Sequence, residues 1–199
     1  VERNQHAVGG NQGIERGQAE RRRRIDEDVV VVGAHRCEEE PQPLLARALQ
    51  EVVHDTFNAI TVDGECSTND CVMLLANGMG DVVVDDATYS EFVDVLRAVC
   101  LPLALGIVRG GEGASKLITV AVSGAASTEE ARRAAKAIAN SPLVKTAIHG
   151  GDPNWGRLIA VSGRAGVDFD LQRARVTIGP VVLFEDGRPF DERAPDAAA

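Results

Sequence analysis

The sequence predicts an α/β or α+β domain, and three observations carry that prediction. Apolar residues recur at helical spacing in two segments and a capping-box pattern opens a third helix; apolar runs of strand length lie between these segments; and 44% apolar residues in a chain of 199 suffice for one sizeable core. Helices and strands therefore mix along the chain instead of separating into blocks.

The elements follow in order. Residues Val1 to Glu40 show little hydrophobic periodicity and many Gly, Gln, Arg and Glu, with Val29 to Val32 as the one strand-like block. Leu44, Leu45, Ala48, Leu49, Val52 and Val53 place an amphipathic helix over Pro43 to Asp55. Phe57 to Val62 (FNAITV) reads as a short buried strand, which Asp63-Gly64 turns. Ser67, Thr68, Asn69 and Asp70 come next, before Val72 to Ala76 returns to apolar packing. These polar groups have two readings. They can cap a helix running through Val72 to Ala76, which local chemistry favours, or they can serve a site.

Phe92, Val95, Leu96 and Val99 share one face of a second helix, Thr88 to Leu101. Lys116 to Val122 is an apolar run expected as a strand. Ser127 with Glu130 is a capping-box pattern that opens a third helix through Ile138. Asp152 to Gly156 then reads as a rigid turn between strands, the next being Arg157 to Ser162. A last strand, Val176 to Phe184, reaches Glu185-Asp186-Gly187, a hairpin signal leading toward Pro189.

Charge and composition exclude several function classes. A net charge of -9 argues against a nucleic-acid surface, and the basic run Arg21 to Arg24 is cancelled by Asp26, Glu27 and Asp28 directly after it. No segment approaches the roughly 20 apolar residues of a membrane span. The N-terminus also lacks the basic-then-apolar layout of a secretory signal, so a cytoplasmic protein without membrane partners is expected. Cys37, Cys66, Cys71 and Cys100 form no CxxC pair, and no second ligand pair accompanies Cys66 and Cys71, so no metal site is expected. Both read as free thiols in the core or beside a site.

Three stretches go further than composition. They are TVDGECSTNDCVMLLANG (Thr61 to Gly78), GIVRGGEGASKLITVAVSGA (Gly106 to Ala125) and NSPLVKTAIHGGDPNWGRLIAVSGRAG (Asn140 to Gly166). In content, order and spacing they resemble the ornithine acetyltransferases, the glutamate N-acetyltransferases of arginine biosynthesis, over roughly residues 43–191. The resemblance implies layered helices on mixed β-sheets. It implies acetyl transfer from N-acetylornithine to glutamate by double displacement, with no bound cofactor and with acetyl-CoA as a co-substrate in members that do both reactions. It also implies a partner α chain in an α2β2 assembly.

Members of that family cleave themselves before a threonine, whose freed α-amine then activates its own hydroxyl. The resemblance places this residue near Val29, yet no threonine or serine precedes Thr56. Cys37 is a poor substitute, because Glu38, Glu39 and Glu40 raise its thiol pKa. No catalytic residue is therefore assigned, and the alternative to an active acetyltransferase is a catalytically inactive fragment of the same family. Residues 1–40 are expected to be disordered or to come from a shifted reading frame; finding no threonine-bearing motif in another frame of the locus would refute the latter. Residues 41–199 are expected to be the body of the β chain, short of the family's closing substrate-binding segment and of its oxyanion-stabilising first half.

Glu112 is the substrate-binding candidate that remains, a carboxylate suited to a cationic amine in a glycine-flanked position that lets backbone approach a ligand. The alternative is a plain loop carboxylate. Asp63, Thr68, Asn69, Asp70 and Lys116 are expected to support the site from behind, Lys116 either on a substrate carboxylate or in a structural ion pair. Trp155 is expected to anchor a core or subunit contact, the alternative being that it lines a pocket, and neither His54 nor His149 has a carboxylate or serine partner at a recognisable spacing.

Overall fold

The computed structural model describes residues 31–32, 41–77, 79–80 and 83–198. Most of the 1–40 segment, Cys37 included, lies outside the described residues. The chain divides into two units, one made of residues 1–60 and 66–110, the other of 61–65 and 111–199.

In the first unit, helix α1 (Pro41–Asp55) buries Ala48 and Val52 completely. Helix α2 (Tyr89–Arg109) meets them with Phe92, Leu96 and Cys100, an i, i+4 stripe, and with Val93. Leu45, Phe57, Leu74 and Tyr89 pack around this core. Polar contacts tie the same pair of helices. The Tyr89 hydroxyl donates to Glu51 (3.2 Å), Arg97 reaches the other oxygen of that carboxylate (3.5 Å), and the Arg47 guanidinium lies 4.5 Å from the Tyr89 ring centre.

Helix α2 runs past the expected end at Leu101, with Pro102 inside it. The buried stripe continues to Ala104, and that packing outweighs the one hydrogen bond the proline forgoes. Before the helix, the Asp85 carboxylate accepts from Ala87 N–H, Thr88 N–H and the Thr88 hydroxyl, closing the entry turn.

Phe57 to Val62 is not a strand. Thr56, 1% exposed, donates its hydroxyl to the Val52 carbonyl (2.6 Å), and the chain leaves α1 through one tight turn over Phe57–Ala59. Phe57 packs back on the two helices instead of entering a ladder. Val72 to Ala76 is not a helix either: strand β1 (Val31–Val32) pairs in parallel with β2 (Met73–Leu74). The polar run before β2 therefore caps no helix there, a correction to the favoured local reading.

The second unit holds helices α3 (Thr128–Asn140), α4 (Pro142–His149) and α5 (Trp155–Gly163). Ile138, Val144 and Val161, one from each helix, form its core with Val120, Val122, Ala137, Ile148 and Leu158 around them. The N-cap half of the capping box at α3 forms as expected, with Glu130 N–H donating to the Ser127 hydroxyl (3.1 Å). The segment Arg157 to Ser162, expected as a strand, lies inside α5. Asn154 caps that helix through Arg157 N–H (3.2 Å), and Leu158 and Val161 turn to the core at i, i+3 spacing, a case where a short apolar run suits either element. The Asp152 to Gly156 turn accordingly joins two helices. Lys116 to Val122 takes no strand assignment, though Val120 and Val122, two residues apart, both pack on the core.

Strands β3 (Arg175–Ile178), β4 (Val181–Glu185) and β5 (Arg188–Pro189) make an antiparallel sheet, with Arg175 opposite Glu185 and Glu185 opposite Arg188. The Asp-Gly signal is borne out: Asp186 and Gly187 both have positive φ (51° and 75°), as a two-residue turn matched to strand twist requires. Leu183 and Phe184 are buried, and Phe184 stacks on Trp155 with ring centres 5.0 Å apart. The indole N–H donates to Asp191 (2.8 Å), so Trp155 anchors packing as expected. A short helix, α6 (Ala194–Ala197), follows. Helices beside a small antiparallel sheet make this an α+β fold.

Candidate functional site

Glu112 lies on a tight turn of the second unit. Ala114 N–H donates to the Gly111 carbonyl (2.9 Å), and Gly113 stands at φ 71°, a left-handed conformation that costs glycine little. The Glu112 side chain is exposed, so its carboxylate remains open to a ligand. Directly after the turn, Lys116 Nζ donates to the Ile148 carbonyl (2.6 Å) and the Ser115 hydroxyl lies 3.2 Å from His149 Nδ1. His149 thus meets a serine in space, 34 residues away, though none stands at a recognisable spacing in the sequence. Lys116 finds a backbone carbonyl instead of a carboxylate, so the structural ion pair is replaced by a charge-assisted hydrogen bond. His54 likewise has a carboxylate neighbour, Asp55 (3.1 Å), on the exposed end of α1.

Asp63 belongs to the same unit as Glu112 and Lys116. Its carboxylate accepts from Glu65 N–H (2.9 Å), a local turn that the Asp-Gly pair predicts. Two contacts fasten this turn. Thr61 donates its hydroxyl to the Asn140 side-chain oxygen (2.6 Å), and Lys145 Nζ donates to the Val62 carbonyl. Asn140 and Lys145 were not among the residues singled out from sequence. They stand 79 and 83 residues from their partners, a separation at which no spacing rule operates.

Thr68, Asn69 and Asp70 belong to the first unit and are exposed. Asn69 N–H donates to the Ser67 hydroxyl (3.1 Å), and the Thr68 hydroxyl to the Asn69 side chain (3.2 Å). Cys66 is exposed and Cys71 half-buried, both as free thiols. Cys100 is buried in the first core, and burial raises its thiol pKa, which makes it unreactive. Among the described residues no group of three His, Cys, Asp or Glu is placed to hold a metal ion, and no helix is long and apolar enough to cross a membrane.

The chain is 53% identical over 150 residues to a glutamate N-acetyltransferase of Methanopyrus kandleri, covering 72% of this chain and 39% of that protein. It is 47% identical over 160 residues to the arginine biosynthesis bifunctional protein ArgJ of Wolinella succinogenes, covering 80% of this chain and 39% of that protein. The chain thus spans about two fifths of the length of these curated relatives. A crystal structure of the arginine biosynthesis bifunctional protein ArgJ of Bacillus halodurans superposes with a TM-score of 0.79 at 38% identity, covering 85% of this chain and 80% of that one. The ArgJ family model matches residues 38–199, which takes in both turns and the helices α3 and α4 that hold them: the chain belongs to the ArgJ family.

Proposed function

We infer that this chain is the ligand-holding body of an acetyltransferase of arginine biosynthesis that moves the acetyl group of N-acetylornithine to glutamate. The observation that carries the reading is Glu112, an exposed carboxylate on a glycine-shaped turn inside the segment matched by the ArgJ family model. A carboxylate so placed receives the ammonium group of an amino-acid substrate through a charge-assisted hydrogen bond. In the reaction proposed, a hydroxyl attacks the acetyl carbon, the amide C–N bond breaks, and ornithine leaves with the proton. The ester so formed then passes its acetyl group to the amine of glutamate and frees the hydroxyl. Acetyl-CoA would enter as an alternative acetyl donor, its thiol leaving in place of ornithine.

The threonine nucleophile that the family resemblance leads one to expect near Val29 has no counterpart in this sequence. Residues 1–55 contain no serine or threonine, and Thr56 is buried with its hydroxyl committed to Val52. A complementary α chain, in an α2β2 assembly, is the proposed partner. The chain alone is expected to release no ornithine from N-acetylornithine and glutamate. Turnover by the purified chain, without any partner, would overturn the reading of it as inactive on its own. Isothermal titration with N-acetylornithine tests the binding role: wild type binds, and Glu112→Gln weakens it by about tenfold, the loss of one ionic hydrogen bond. Equal binding by both would remove Glu112 from the site.

A further inference from the structure

Helix α4 fastens both the turn that carries Asp63 and the turn that carries Glu112, and we propose that Lys145, Lys116 and Ser115 are positioning residues that place those two carboxylates through this one helix. The inference rests on the ligand-binding reading of Glu112 and adds to it the device that holds the carboxylate in place. One tether reaches back: Lys145 Nζ donates to the carbonyl of Val62, the residue before Asp63. Asn140, at the end of α3, holds the same turn through Thr61, and its carboxamide would lie 3.5 Å from a Cβ at Gly64. The other tether reaches forward. Lys116 Nζ donates to the Ile148 carbonyl and Ser115 meets the His149 ring, just two and one residues past Ala114, which closes the Glu112 turn.

The chemistry of α4 suits this task. Carbonyls in the last turn of a helix lack a partner further along it and carry the negative end of the helix dipole, so an ammonium group there is favoured. Ile148 is such a residue, and its carbonyl accepts from Lys116 as well as from Gly151 N–H. Lys145 and His149 stand four residues apart and therefore on one face of the helix. The opposite side is immobilised. Val144 and Ala147 are buried, and Arg157 donates to the Leu143 carbonyl (2.7 Å) and the Thr146 hydroxyl (3.1 Å). Two exposed turns, from distant parts of the sequence, thus share one fixed support.

Nitrogen-15 relaxation of the full chain, combined with titration by N-acetyl-L-ornithine, tests this. In wild type the amides of Glu65 and Ala114 should have order parameters near 0.85, as rigid backbone does. Lys116→Met should drop Ala114 below about 0.6 and leave Glu65 rigid; Lys145→Met should do the reverse. Each Met variant should lose affinity for the probe by about tenfold, and each Lys→Arg variant should restore both order and affinity because the donor returns. Ser115→Ala, a smaller deletion, should loosen Ala114 alone. Unchanged order in both Met variants would overturn the positioning role while leaving Glu112 as a ligand group. Loosened turns with undiminished affinity would overturn it as well. A wild-type chain that fails to bind the probe, with its turns rigid, would instead refute the functional reading on which the inference rests.

Discussion

Gly113 shows most plainly how one residue shapes the site. At φ 71° with open space where a side chain would begin, it meets no steric obstacle except its own backbone. Gly113→Ala should therefore cost only the left-handed penalty, about 1–2 kcal/mol, read by urea denaturation, and should re-aim Glu112. Ser127 is the second case. Its hydroxyl is the acceptor for the N–H of Glu130 at the start of α3, and Ser127→Ala should cost about 1 kcal/mol in the same measurement. Both residues were legible in the sequence, because a glycine-flanked carboxylate and a capping box are local patterns. His149 was not legible, since its contact with Ser115 depends on where α4 ends in space.

At the scale of elements, helices were read correctly where a buried stripe is long. In α2 the stripe runs from Phe92 across Pro102 to Ala104, and in α1 and α3 buried pairs four residues apart, Ala48 with Val52 and Ala134 with Ile138, mark the inner face. Short apolar runs misled. Arg157 to Ser162 became helical because Asn154 caps it, and Phe57 to Val62 turned because buried Thr56 bonds back into α1. The entry to α2 yields a pH dependence. Hydrogen bonds from Thr88, backbone first, hold the Asp85 carboxyl below its ordinary value of 3.8. The stabilisation is present above that value and is lost as pH falls through the lower folded-state pKa. Thermal melts of Asp85→Asn between pH 5 and 2 should accordingly show a shallower acid limb than wild type, within about a unit of pH on either side of the carboxylate range.

At the scale of the whole molecule, two cores divide the work of stability. Leu96 in the first unit and Leu183 in the second are both fully enclosed, at 1% and 0% exposure. Leu96→Ala and Leu183→Ala should each cost about 2–5 kcal/mol, because each leaves a cavity among packed neighbours. Calorimetry resolves whether the two losses fall on one transition or two. Glu112, Lys116 and Asp63 sit in the second unit, whereas Thr68, Asn69 and Asp70 sit in the first, although the sequence presents Asp63 and Asp70 as one polar run. That division follows from hydrogen bonds: Thr61 and Val62 are tied to Asn140 and Lys145 of the second unit.

By itself the sequence determined the fold class, the long helices, the Asp-Gly hairpin and, through three long motifs, the family. These are properties of residue pattern, which acts over a few turns of helix or a single loop. Only the tertiary structure decided that Arg157 to Ser162 is a helix, that Val72 to Ala76 is not one, and that α4 holds the Asp63 and Glu112 turns together. The strand at Met73–Leu74 and the hold of α4 on the two turns rest on hydrogen bonds between groups from 32 to 83 residues apart, which local spacing does not encode, and the helix at Arg157 to Ser162 rests on which element its short apolar run packs against.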